Sequence, residues 1–431
     1  MFRIAIFYAG SALTLKLLGL LLSLWLARVL MPEDYGIWGL ALAIQIGVTT
    51  FGAVGIPESL VGLLHQYPSK SDRQHLYAAA TGSFFLTLTV SLVFAISLLF
   101  LVLDSRGFSL FGYVGIIISG SLLALTVIQA QVARLEENHL TSLVFSFLIP
   151  LAGVTGSAIG FGLAQSVDAY FFGSGLAMLI VALIFYRSFQ GLVFTAKEVA
   201  VTRNKLTRRL TPFVLVAFLG WLSGYGHNVV VAYFFNLQDV AQLTFLMNLG
   251  AGLQLLTSSC NQVWSPRFYS LINSEYDPEK IERMSRRFYS ALGLGLGIVS
   301  AIGTAAMPDI VGLIGGQLTN YRYAQMEMLL IFMGYIALVP WVQCQNYLLV
   351  KDQGKLLMNV VFLTSLVGLT VWGCLMLVYG TKGIYLGFFV QMLLRSIGIS
   401  VVTRRWCARP SWGATGGGLL LACSGLLLPV S

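Results

Sequence analysis

Residues 5–29 read AIFYAGSALTLKLLGLLLSLWLARV, an apolar run interrupted by charge only at Lys16 and Arg28. Wound as a helix rising about 1.5 Å per residue, such a run is about 37 Å long, enough to cross the roughly 30 Å of hydrocarbon in a bilayer. It exceeds the 7–15 residues usual for the apolar region of a secretory leader, and no small-residue cleavage pattern follows it. The stretch is a membrane span.

Working outward, similar runs lie near 37–56, 77–102, 111–131, 142–164 and 168–187. After a polar gap they resume near 211–235, 241–263, 288–307, 327–349, 357–379 and 383–403. A shorter run, 414–431, is a candidate thirteenth span. None shows the ten-residue alternation of an outer-membrane barrel, so the expected fold is an all-α integral membrane protein of about twelve transmembrane helices. Composition agrees. The chain is 57% hydrophobic and 10% charged, against roughly 25% charged in soluble domains. A soluble fold could not cover that much apolar surface.

Charge gives the map its sides. The 26 Lys and Arg outnumber the 17 Asp and Glu, yet they are too sparse to form a basic nucleic-acid-binding domain. Twenty of the 26 fall at the N-terminus, on every second loop and in the tail; four (Arg28, Arg106, Arg322 and Lys382) fall on the opposite loops. By the positive-inside rule the N-terminus is cytoplasmic. The longest polar gap, with Arg187, Lys197, Arg203, Lys205, Arg208 and Arg209, divides the spans six and six. The expected organisation is a six-helix lobe over 1–187, a basic cytoplasmic linker over 188–210, a second lobe over 211–405 and a tail over 406–431. In the loop after the eighth span, Ile281, Met284 and Phe288 at helical spacing, with Lys280, Arg283, Arg286 and Arg287 around them, predict a short amphipathic helix on anionic headgroups.

Catalysis finds no footing. His65, His75, His139 and His227 are scattered, no Walker, HExxH or nucleophile-elbow motif occurs, and the outer loops are short. The five cysteines lack metal-ligand spacing. Gly293-x-Gly295-x-Gly297 lies inside an apolar span, where close helix packing explains it better than phosphate binding. Neither a catalytic residue, a metal site nor a cofactor is expected.

Polar groups inside the membrane are costly, which makes them informative. Lys16 lies thirteen residues after Arg3, about 20 Å along a helix and so near mid-bilayer. Arg395 lies inside the twelfth span. Each cation either bonds within the bundle or faces a water-filled cavity that attracts anionic cargo. Gln45, His227, Asn228 and Gln254 are candidate hydrogen-bonding groups for such cargo. Almost no carboxylate accompanies them in mid-membrane, which disfavours a cation-extruding or proton-coupled pump. Pro32-Glu33-Asp34-Tyr35-Gly36 reads as a tight turn at the outer surface, with Pro32, Asp34 and Gly36 as gating candidates.

Residues 26–44, LARVLMPEDYGIWGLALAI, resemble the N-terminal signature of the polysaccharide exporter and O-antigen flippase family, and 51–61, FGAVGIPESLV, is similar to the end of that family's second span. Weaker similarity reaches Ser265-Pro266-Arg267-Phe268-Tyr269. The superfamily also contains lipid II flippases and multidrug and toxin extrusion transporters. The resemblance implies two six-helix lobes around a central cavity opening alternately to either side. It also implies an undecaprenyl-pyrophosphate-linked oligosaccharide as cargo, moved from the cytoplasmic to the outer leaflet of the inner membrane. Relatives often carry an Asp midway along the seventh span, where this chain has Gly226-His227-Asn228-Val229.

The expectation is therefore an anionic-glycan flippase, not an enzyme, with Lys16 and Arg395 as cavity cations. Its partners would be lipid-linked oligosaccharide, membrane lipids, and polymerase and chain-length regulator proteins of the same pathway. A small-molecule or multidrug exporter is the nearest alternative. A polysaccharide polymerase or ligase is the other, and it would need a large outer loop.

Overall fold

A computed structural model describes residues 2–64, 67, 69–102, 108–189, 206–207, 210, 213–273, 277–351, 353–407 and 410–427. Among them the regular structure is entirely helical. In chain order come α1 (Phe2–Val29), α2 (Pro32–Gly52), α3 (Ile56–Leu63), α4 (Lys70–Val102) and α5 (Leu110–Leu135). Next are α6 (His139–Leu143), a π-helical turn (Val144–Leu148), α7 (Ile149–Ala164) and α8 (Val167–Ile184). A broken pair, α9 (Phe213–Leu222) and α10 (Gly226–Phe234), precedes α11 (Leu237–Asn273) and α12 (Pro278–Ile314). The last are α13 (Gln325–Ala337), α14 (Val339–Val350), α15 (Gly354–Tyr379), α16 (Thr381–Thr403) and α17 (Trp412–Ser424).

Polar caps and prolines set the helix starts. Asn138 accepts from Thr141 N at 3.1 Å, and Ser166 accepts from Ala169 N at 3.2 Å, each matching an amide that the helix leaves unpaired. Pro32 occupies the first position of α2, where a missing N–H costs nothing. The protein is a multi-pass membrane protein. Ten helices of the described residues are long and apolar enough to cross a bilayer, or eleven if α9 and α10, bent by 54°, form one broken span. The expectation was twelve. α1 has 28 residues, while α17 has only 13, about 20 Å and short of the hydrocarbon thickness.

The chain packs as two compact units. One comprises Met1–Leu22 and Glu33–Ala241, the other Ser23–Pro32 and Gln242–Ser431. The division falls inside α11, after Ala241, and inside α1, after Leu22. α9 and α10 are bonded to α2 within the first unit. Residues 190–205 and 208–209, with most of the linker's cations, lie outside the described residues. Leu206 and Leu210 are buried against Ile56, Leu60, Leu76 and Ile128. In the same unit α5, the π turn, α7 and α8 enclose Ala130, Phe145, Ile149, Met178 and Ala182.

In the second unit α16 lies against α13, α14 and α15, and α12 against α17. Gly293 and Gly297 both face α17. A Cβ on Gly297 would lie 2.5 Å from Gly418 O, so these glycines serve close helix approach, as the sequence indicates. The amphipathic segment is not a separate short helix. It forms the opening turns of the 37-residue α12, with Ile281 buried and Lys280, Arg283, Arg286 and Arg287 exposed. Asp277 accepts from Glu279 N at 3.0 Å, so the helix starts there and runs on unbroken.

Candidate functional site

In the first unit the polar candidates converge on α2. Trp221, near the end of α9, donates its indole N–H to Ala43 O at 2.8 Å, and Asn228, in α10, donates its amide to Gly39 O at 3.2 Å. The two acceptors are one turn apart, so the broken helix is fastened to α2 on both sides of its break. Gln45 Nε2 donates to Ser119 Oγ of α5 at 2.6 Å. Hydroxyls of α4 add two more ties, Ser91 to Val48 O at 3.1 Å and Thr87 to Gly52 O at 2.7 Å. His227 is buried beside Asn228. Gln45 and Asn228 are thus brought to one helix, each with its amide engaged inside the unit.

The Pro32–Gly36 motif is not a tight turn. Pro32, Asp34 and Gly36 form the first turn of α2, with Asp34 exposed and acidic at a helix N-terminus, where the dipole favours it. Gly36 does not take positive φ. Its missing side chain serves close approach instead, because a Cβ there would collide with Leu237 O. Lys16 is exposed midway along α1.

The second unit holds Arg395. Its guanidinium carbon lies 4.6 Å from the centre of the Trp341 ring, and Trp341 donates its indole N–H to Gln345 Oε1 at 3.0 Å. Among the described residues, Arg395 Nε is buried without a hydrogen-bond partner, as are Gln391 Oε1 and Ser396 Oγ on the same helix. Gln254, the other candidate here, is exposed on α11. Lys16 and Arg395 belong to different units.

Sequence reasoning missed Trp221 and Trp341, because an aromatic in an apolar run carries no polar signal. A hint for Trp221 lay in the small residues Gly36, Gly39, Ala43 and Gly47, spaced three or four apart on α2. Polar residues on three helices also form one network. Tyr289 and Asn346 both donate to Asn261 Oδ1, at 2.6 Å and 2.8 Å, and Tyr269 donates to Asn346 Oδ1 at 3.3 Å. Such a network joins α11, α12 and α14 without an unpaired member.

The architecture has known counterparts. The lipid II flippase MurJ in an inward closed conformation superposes with a TM-score of 0.72 at 11% identity, over 98% of this chain and 96% of that one. An inward-facing multidrug resistance MATE family transporter of the MOP superfamily gives 0.63 at 14% identity, over 94% and 98%. A MATE transporter of Vibrio cholerae gives 0.58 at 13% identity, over 94% and 95%. At these identities the likeness is one of fold. No curated protein matches the sequence. The model of the family described as "Polysaccharide biosynthesis protein" matches residues 2–272, well over half of the chain, and the chain belongs to that family.

Proposed function

We propose that this protein is a flippase that carries a lipid-linked, negatively charged oligosaccharide from the cytoplasmic to the outer leaflet of the inner membrane. It works by alternating access, without ATP hydrolysis or catalysis of its own, and with its N-terminus in the cytoplasm. The lipid is undecaprenyl pyrophosphate, and the product serves O-antigen or exopolysaccharide assembly beside a polymerase and a chain-length regulator. Lys16 and Arg395 attract the pyrophosphate or acidic sugars, and Gln45, His227, Asn228 and Gln254 offer hydrogen bonds to the glycan. Pro32, Asp34 and Gly36, which start α2, act in gating.

The observation that carries this reading is the cation inside an apolar helix. Arg395 is built into α16 with its Nε buried and without a partner among the described residues, a costly arrangement for a merely structural residue. Membership of a polysaccharide biosynthesis family and a fold shared with a lipid II flippase support the same direction. The test is Lys16→Ala in the native host. Surface polysaccharide is expected to disappear at unchanged protein abundance, and wild-type polymer levels in that strain would sink the reading.

The shared fold of a multidrug transporter favours one rival, a small-molecule exporter. A deletion strain separates the two: hypersensitivity to drugs with intact polysaccharide supports the exporter. A polymerase or ligase predicts that lipid-linked repeat units accumulate on the outer leaflet instead of the inner.

A further inference from the structure

Two helices of the second unit each present a pair of residues one turn apart. On α14 these are Trp341 and Gln345, and on α16 they are Gln391 and Arg395. The pairs meet where the Arg395 guanidinium lies over the Trp341 ring, 4.6 Å from its centre. Gln345 fixes that ring by accepting its N–H at 3.0 Å. A guanidinium that gives one face to an aromatic ring keeps its N–H edge for a planar or forked oxyanion, and the stack restricts its rotamers in advance. Arg395 Nε is such a donor, buried and unpaired among the described residues.

The neighbouring atoms add a second kind of demand. Gln391 Oε1 and Ser396 Oγ, on the same helix and both buried, likewise have no partner among the described residues. Gly368 of α15 makes room for the Gln391 stem, since a Cβ there would lie 2.6 Å from Gln391 Cγ. In apolar surroundings an unmatched donor and an unmatched acceptor are each costly, yet they stand one turn apart. A group that both accepts from Arg395 and donates to Gln391 satisfies them together. A phosphate or carboxylate with an adjacent hydroxyl does this, and a bare anion does not.

We propose that Arg395, Gln391 and Trp341 form a receptor for a hydroxyl-bearing oxyanion, a glycosyl phosphate or a sugar acid, in which Trp341 is the positioning residue. The inference rests on the flippase reading only for the identity of the molecule that carries this group. It assigns a role to a tryptophan that touches no ligand and acts through the arginine.

The test uses the full-length protein in lipid nanodiscs, titrated calorimetrically with glucose 1-phosphate, glucuronate and, as the uncharged control, glucose. Wild type is expected to bind at least one of the two acids and not glucose. Preference for glucose 1-phosphate places the lipid-proximal phosphate in the receptor, and preference for glucuronate places an acidic sugar there. R395Q is expected to weaken binding by about ten- to hundredfold, and W341L by about tenfold. W341F should recover most of the loss, because it restores an aromatic face. R395K should not, because an ammonium lacks the planar fork. Equal binding of glucose, or wild-type affinity in both R395Q and W341L when their thermal unfolding matches wild type, overturns the proposal. If either variant unfolds early, W341F against wild type decides it: equal folding with lost affinity also overturns it. A deletion strain with intact surface polysaccharide, together with Arg395-dependent binding in vitro, would instead remove the flippase reading and leave the receptor standing.

Discussion

α2 and α16 are both apolar helices with buried polar residues, yet they differ in how far those residues are matched. Along α2, side chains of α4, α9 and α10 donate to four of its carbonyls, at Gly39, Ala43, Val48 and Gly52, and Gln45 is matched by Ser119. On α16, Gln391, Arg395 and Ser396 hold buried atoms that no described residue satisfies. Where water is absent, a matched polar group fastens helices together and an unmatched one is a liability. The difference teaches which polar residues are structural. The bonds to α2 fasten the first unit, with Trp38 Nε1 the buried atom on that helix left without a partner among the described residues, and in the proposed receptor the unmatched atoms of α16 are those a ligand would meet.

The largest effect that could break this contrast is at Trp221. Its ring packs near Phe51, at 5.9 Å, and Phe94, at 5.4 Å between centroids, besides bonding Ala43. Truncation by Trp221→Ala removes a large buried ring together with that bond, for which about 3–5 kcal/mol is typical. Thermal unfolding in detergent should show a steep loss, and protein yield should fall. An unchanged melting temperature would mean that α2 is not held through the broken helix.

A smaller effect lies at Gln45. Gln45→Leu and Ser119→Ala, singly and combined, form a double-mutant cycle whose coupling is expected near 1 kcal/mol. A coupling near zero would say that the 2.6 Å contact contributes nothing, and that Gln45 is as available to cargo as its position in an apolar run suggests.

The sequence made the helical membrane character legible because the signal is physical length: against twelve expected apolar runs, ten or eleven helices of the described residues are long and apolar enough to cross a bilayer. It also pointed to Arg395, because a charge in an apolar run contradicts its surroundings. Direction and pairing were less legible. Gln45, Asn228 and Gln391 look alike in a sequence, and only packing reveals that the first two are engaged while the third has an unmatched oxygen. Gly36 reads as a turn residue after Pro32 because proline and glycine both break helices. Yet proline starts one equally well, and the glycine proves to serve an approach by Leu237 from far along the chain. The break within the seventh span was similarly invisible, since Ser223, Gly224 and Tyr225 lie inside an otherwise continuous apolar run.

The smallest expected effect is also the sharpest, because its sign reverses. Gln391→Met keeps the volume of a buried side chain and removes an acceptor that no described residue satisfies. Replacing such a group by an apolar one of similar shape is neutral or stabilising, by up to about 1 kcal/mol. The variant should therefore melt at or slightly above the wild-type temperature while its affinity for glucose 1-phosphate or glucuronate falls. Gln45→Leu should do the opposite, losing stability first. If Gln391→Met instead lowers the melting temperature, its amide is part of the scaffold, and α16 is fastened in the same manner as α2. A stable protein that has lost its ligand is the outcome that only a reserved polar group produces, since a side chain selected for stability has nothing to gain from an unmatched oxygen.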